Sequence, residues 1–260
     1  MFNQLKLQLV RFQTLFSYKF GDWRKVRIIE NNDLLVEIPS EMRYSYYCHS
    51  MHLTTDHRIF IRSSVLDRFL KARSILLDQG FDLIVYDGWR SYELQEKLFW
   101  YYMREFTADK FNLSAGFSGL VDCDDVRNYF FTLPKNVQSA MFDVNRAYVS
   151  WPSKDSMVPS PHATGGSIDV WPFRDGVAVD LGVPFDWMKE DAGTFYHLKA
   201  RRKAFSDNDA MVIKNRSCLI LAMVKAGFSC YGPEIWHFNY GNQMDGLVKH
   251  CDAFYSYTEP

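Results

Sequence analysis

The sequence predicts an α+β fold, a single domain with a central, mainly antiparallel sheet flanked by helices. Helical and strand-like segments follow one another in the order helix, strand, helix, strand, helix, strand, which one sheet with helices packed on it accommodates. Hydrophobic residues are 47% of the 260 and charged residues 23%, which supports a packed core and excludes a disordered chain. No internal repeat or low-complexity tract divides the sequence.

The elements are read in chain order. Residues 1–42 form an N-terminal extension, amphipathic and peripheral as far as Phe20. Its opening stretch superficially resembles a signal, but Gln4, Lys6, Gln8, Arg11 and Gln13 interrupt it, so no continuous apolar region forms and no run is long enough to cross a bilayer. The domain proper spans 43–260. Ser63 or Ser64 can cap a helix through Val65, Leu66, Phe69, Leu70 and Leu77, which Gly80 stops. Residues 81–86, rich in β-branched and aromatic side chains, form a strand that ends at the turn signal Asp87-Gly88. Ser91 can cap a second helix carrying Leu94, Leu98 and Tyr101 or Tyr102 on one face. Residues 107–159 read as an insertion of loops and short helices, with Asn112, Gly116, Gly119 and the acidic patch Asp122, Asp124 and Asp125. Pro152, Pro159 and Pro161 keep the chain extended on its way to His162. A strand at 168–171 follows, then a helix over 209–226 ended by Gly227, then a strand or hairpin over 228–240 broken at Gly232-Pro233.

Bulk chemistry narrows the function. A net charge of −1 lacks the basic face that a nucleic-acid partner needs. Cys48, Cys123, Cys218, Cys230 and Cys251 are odd in number and show no CxxC spacing, which argues against a disulfide framework or a thiolate metal site. Reduced thiols point to a cytoplasmic protein, with an exported form as the alternative. Aromatics at 17% supply a core and cleft of Phe, Tyr and Trp.

Two short motifs carry chemistry: Ser160-Pro161-His162-Ala163-Thr164-Gly165-Gly166-Ser167-Ile168-Asp169 and, downstream, Glu234-Ile235-Trp236-His237. Together they hold two imidazoles, a ligand carboxylate and a spare carboxylate, the inventory of a catalytic zinc site with an open position for water and a base beside it. Gly165-Gly166 permits a tight bend that folds His162 and Asp169 toward one metal. A strand end or bulge before His237 lets its imidazole ligate while Glu234 sits over the water. Arg90, at the end of the 81–86 strand, is placed to face an oxyanion. Taken singly, each has an ordinary alternative. His162 and His237 could be core histidines, Arg90 a salt-bridged arginine, and Trp89 and Trp236 core aromatics, while His49, His52, His57, His197 and His250 read as surface or core residues.

Three motifs in this order, Asp-Gly-Trp-Arg, then S-x-H-x-x-G-x-x-x-D, then E-x-W-H, resemble those of the D-alanyl-D-alanine dipeptidases, zinc D,D-peptidases allied to D,D-carboxypeptidases and L,D-endopeptidases of peptidoglycan. The resemblance covers roughly 43–238 and implies the zinc fold these enzymes share with the Hedgehog signalling domain. It implies one zinc ion held by His162, Asp169 and His237, Glu234 as catalytic base and Arg90 as transition-state stabiliser. It places Asp186 against the substrate's free amine, and Ser160 and Tyr44 among substrate contacts. The sequence departs from the family at Ser91, where a proline is common, and over Lys189 to His197, where a Ser-His-His stretch is usual. The 107–159 segment is also longer than usual. The implied activity is hydrolysis of D-Ala-D-Ala or a related small D-amino-acid dipeptide. The alternatives are a D,D-carboxypeptidase or L,D-endopeptidase on peptidoglycan stems, or a non-catalytic zinc module, which would need neither Glu234 nor Arg90.

Overall fold

A computed structural model describes residues 2–146, 148–199 and 207–260. In chain order these form α1 (Phe2–Phe20), β1 (Leu35–Glu37), α2 (Tyr46–His49), β2 (Phe60–Arg62), α3 (Ser63–Leu77), β3 (Asp82–Asp87) and α4 (Tyr92–Tyr102). There follow α5 (Ala108–Lys110), α6 (Ser114–Phe117), α7 (Cys123–Thr132), α8 (Lys135–Asn145), β4 (Ser167–Arg174), β5 (Val177–Ala178) and α9 (Tyr196–Lys199). The chain closes with α10 (Asp207–Ala226), β6 (Ser229–Cys230), β7 (His237–Asn239) and α11 (Gln243–Lys249).

The expected antiparallel sheet is present. Its strands run β3-β4-β7-β6, with β5 paired to β4, and every pairing is antiparallel. The register does the functional positioning. Asp87 on β3 lies opposite Asp169 on β4, and Asp169 lies opposite His237 on β7. Residues directly opposite in an antiparallel pair project to the same face, so three strands present a row of ionisable side chains. An irregularity between Val85 and Asp87 shifts β3 and brings Asp87 into that row.

Helices α3 and α10 cover the sheet and build the main core with Phe69, Leu83, Val170, Leu219 and Phe238, all at or below 1% exposure. The core face of α3 is Val65, Phe69, Ala72 and Leu76, whereas Leu70 and Leu77 of the same helix are 39% and 49% exposed. The buried set follows i, i+4, i+7, i+11 spacing, which a 3.6-residue repeat selects. Neither Ser63 nor Ser64 caps α3. Asp33, thirty residues upstream, binds the Ser63 hydroxyl and accepts from Ser64 N at 3.0 Å. Residues 28–37, expected at the periphery, are woven into the body by this cap, by pairing of β1 with β2 and by a bridge between Ile28 and Ala253. Ser91 caps α4 as its position predicts, its Oγ accepting from Leu94 N at 3.1 Å.

The 107–159 segment does not stay loose. Helices α5 to α8 close around a second core with Phe99, Trp100 and Met103, using Phe117, Phe130 and Met141. A π-helical turn, Met103–Thr107, carries α4 into it. Predicted helix 209–226 corresponds to α10, and the hairpin over 228–240 to β6, β7 and the intervening turn. No described helix is long and apolar enough to cross a membrane.

Candidate metal centre

The two motifs converge at one end of the sheet. Gly165 adopts a left-handed conformation, φ 69°, which closes a short turn over His162–Thr164 and reverses the chain into β4. Gly166 permits close approach to the next strand, since a Cβ there would stand 2.5 Å from the Tyr240 carbonyl. His162 thus arrives from before β4, Asp169 from within it, and His237 from the first residue of β7. All three are buried.

Their distances fit a metal. His162 Nε2 lies 3.2 Å from His237 Nδ1, His237 Nδ1 lies 3.1 Å from Asp169 Oδ1, and His162 Nε2 lies 3.6 Å from Asp169 Oδ2. A tetrahedral ion with bonds near 2.0–2.1 Å separates its ligand atoms by about 3.3 Å. The opposite ring nitrogens fix the tautomers. His162 Nδ1 is 2.7 Å from the Gly88 carbonyl, and His237 Nε2 is 3.1 Å from Asn239 Oδ1. Each of these oxygens can only accept a hydrogen bond from the ring N–H, which leaves His162 Nε2 and His237 Nδ1 as facing lone pairs in the neutral rings. Asp169 Oδ1 is buried and accepts no hydrogen bond. Three donor atoms face one point; burial opposes a proton on His237 but Asp169 beside it raises the imidazole above its usual range, and a divalent cation at that point would take the proton's place. Burial, reinforced by Arg90, holds His162 well below the usual histidine range and neutral. Burial pushes Asp169 up, but His162, His237 and Arg90 outweigh it and keep the carboxylate ionised.

The remaining side chains line the same cleft. Glu234 sits in the turn before β7 and not on the strand, so its carboxylate stands 3.7 Å from His237 Nδ1 without competing for its place in the sheet. Burial pushes this carboxyl up to about 8, with His237 opposing. Thr194 braces the turn: its N donates to Gly232 O at 2.9 Å and its Oγ1 to Glu234 O at 2.9 Å. Arg90 is buried, donates from Nε and Nη2 to Asp87 Oδ2 at 3.0 and 2.7 Å, and reaches Gln95 Oε1 at 2.8 Å. Its Nη2 is 3.9 Å from Asp169 Oδ2. Burial opposes the Arg90 charge, but Asp87, Tyr47 and Asp169 hold it cationic.

Asp186 lies across the cleft, partly buried, with a left-handed backbone of φ 63° that few non-glycine residues adopt. The Tyr102 hydroxyl donates to its Oδ2. Burial raises its carboxyl to about 6, against hydrogen bonding from Tyr102 and the charge of Arg90. Tyr47, Tyr102, Met188 and Tyr231 complete the walls.

Ser160 and Tyr44 are not brought into this cleft. Ser160 Oγ accepts from Ser153 N at 3.0 Å and donates to Trp151 O at 3.0 Å, which ties down the approach to His162. Tyr44 is 40% exposed, tilted against Tyr86 and hydrogen-bonded to Ser50, while Tyr47 of α2 faces the site instead. Sequence reasoning also passed over Asn239, Tyr102 and Arg216. Asn239 Oδ1 collects Ser167 Oγ and Asn242 Nδ2 as well as His237. Arg216 of α10, 3% exposed, donates to the carbonyls of Leu181, Gly193 and Asp191 at 2.6, 2.8 and 2.9 Å, clasping both ends of the loop that bears Asp186. Nothing local in their sequence marks these residues. Their roles arise from contacts across the fold.

No curated protein matches the chain. The family profile described as D-ala-D-ala dipeptidase matches residues 124–257, a span that includes His162, Asp169, Asp186, Glu234 and His237 and begins after Arg90. That match covers half of the chain and falls on the buried His-Asp-His group, and the chain belongs to the M15 peptidases, the family of the D-Ala-D-Ala dipeptidases.

Proposed function

We propose that this M15 peptidase is a zinc-dependent dipeptidase that hydrolyses D-Ala-D-Ala or a closely related small dipeptide. The observation that carries the reading is the convergence of His162, Asp169, His237, Glu234, Arg90 and Asp186 on one cleft. His162, Asp169 and His237 would hold the zinc, which when bound supplies a Lewis acid and a water of lowered pKa.

The chain's own residues do the rest. Glu234 takes the proton of the attacking water as its oxygen bonds to the peptide carbon, then delivers that proton to the amine as the C–N bond breaks. Arg90, locked by Asp87 and Gln95, presents a fixed cation toward the oxygen that gains charge and needs no rearrangement to do so. Asp186 pairs with the ammonium of a free dipeptide, oriented by Tyr102. A peptide extended at its amino end lacks that ammonium and leaves the carboxylate unpaired. The 107–159 segment supports the small-substrate reading, because its helices close around their own core and, among its described residues, only Tyr148, Val149 and Ser150 reach the cleft.

The test compares D-Ala-D-Ala with N-acetyl-D-Ala-D-Ala and a stem pentapeptide. The free dipeptide is expected to be favoured in kcat/KM by roughly 100-fold or more, and Asp186→Asn to erase that preference. Preference for the blocked or longer peptide would replace this reading with a carboxypeptidase.

A further inference from the structure

Helix α1 (Phe2–Phe20) presents two faces of different fate. One packs on α10 and α11 and buries Leu7, Thr14 and Ser17. The opposite face carries Leu5, Leu9, Phe12, Phe16 and Phe20 at 62%, 60%, 68%, 48% and 67% exposure. Their spacing of three and four residues aligns them in a single stripe. The rings are continuous, with Phe12 and Phe16 centroids 5.6 Å apart and Phe16 and Phe20 centroids 4.7 Å apart. A contiguous apolar surface of this kind marks a docking face and not scattered exposure.

Charge says what docks there. Between Met1 and Arg27 stand six basic residues and one acidic residue, Asp22, in a chain whose overall charge is −1. Asp22 pairs with Arg24, and Arg27 with Asp252. Lys6, Arg11, Lys19 and Lys25 have no carboxylate partner among the described residues. Helical spacing sets Lys6 on one flank of the stripe and Lys19 on the other, and Lys19 Nζ lies 5.1 Å from the Phe20 ring. A large apolar stripe bordered by lysines is the pattern of a helix lying in a membrane interface, its rings at the acyl boundary and its ammonium groups among phosphates. A second copy of α1 would bring cationic flanks together, whereas an anionic lipid surface complements them.

We infer that α1 docks in plane on an anionic phospholipid surface through the Leu5, Leu9, Phe12, Phe16 and Phe20 stripe, with Lys6 and Lys19 engaging lipid phosphates. The helix lies on the bilayer, since no described helix is long and apolar enough to cross it. Tyr18 packs edge-on against Tyr231 at 5.5 Å, and Tyr231 packs against the His237 ring at 5.2 Å. The inference is independent of which peptide the cleft cleaves.

Sedimentation of the full chain with vesicles tests it. The parent protein is expected to pellet with vesicles of phosphatidylglycerol and phosphatidylcholine, and at least about tenfold more weakly with phosphatidylcholine alone or at high salt. Phe12→Glu with Phe16→Glu should abolish pelleting without changing peptidase activity, because both side chains point away from the body. Lys6→Glu with Lys19→Glu should weaken it about tenfold while leaving the stripe intact. Failure of the parent to bind anionic vesicles, equal binding to neutral ones, or equal binding by either variant would overturn the inference. So would a dimer in solution that the Phe12→Glu, Phe16→Glu variant converts to monomer, which would assign the stripe to a second copy.

Discussion

Tyr102 donates its hydroxyl to Asp186 across the cleft, joining the helix that follows Arg90 to the loop that faces the far end of the site. This contact fixes a carboxylate whose backbone already sits at φ 63°. Tyr102→Phe removes a hydrogen bond to the ionised form and should raise KM for the free dipeptide more than it lowers kcat. The pH at which 1/KM is half-maximal should also move upward, because the bond from Tyr102 is one of the influences holding the Asp186 carboxyl down. Steady-state kinetics across pH checks both.

Asp186 gives two opposed pH effects. Burial raises its carboxyl to about 6 from the ordinary 3.8, so the folded chain holds this proton more tightly than the unfolded one. Its contribution to stability is therefore full below pH 4 and lost as pH rises toward 6. On the proposed pairing, affinity for a substrate ammonium should run the other way and grow as pH rises through the same window. Asp186→Asn should flatten both responses, as read by thermal melting and by KM between pH 4 and 7.

Asn239 Oδ1 lies 3.1 Å from His237 Nε2, and in the proposed zinc site this acceptor would set the His237 tautomer, so Asn239→Leu should weaken zinc about 10- to 100-fold. Asn239→Asp keeps an acceptor at that point and should retain tighter binding than Asn239→Leu. Competition with a chromogenic chelator measures the difference, and equal affinity in the two variants would refute the role.

Arg216 holds the Asp186 loop by three main-chain carbonyls. Burial lowers its guanidinium to about 10, against Asp191 and Asp180, so the clasp keeps a cation in a position that costs stability. Arg216→Met leaves those carbonyls unpaired and should lower stability by about 1–3 kcal/mol. It should raise KM while metal content stays at the parental value. Denaturant unfolding and metal analysis on the same preparation separate loop disorder from loss of the centre.

The site was legible in the sequence where its chemistry is local. His162 and Asp169 are joined by a glycine pair whose bend is a backbone property, and Glu234 and His237 share one short turn. Helix α3 was legible from its run of apolar residues stopped at Gly80, and β3 from its β-branched and aromatic composition, while which apolar side chains of α3 face the core is settled by packing, which leaves Leu70 and Leu77 exposed. What escaped depends on residues distant in sequence. The cap on α3 comes from Asp33, the clasp on the Asp186 loop from α10, and the second core from the packing of α5 to α8 around Phe99, Trp100 and Met103. Tyr44 and Tyr47 lie in one tyrosine-rich stretch, and only the packing of α2 against β3 decides which ring enters the cleft.

The most direct test of the account pairs zinc content with turnover of D-Ala-D-Ala in Glu234→Ala. Glu234 is assigned the proton transfers and not the metal, so the variant should bind one zinc per chain with parental affinity and lose about 10²- to 10⁴-fold in kcat. Turnover at the parental rate with zinc bound would contradict the mechanism, and loss of the zinc itself would contradict the division of labour between Glu234 and the His162, Asp169 and His237 ligands.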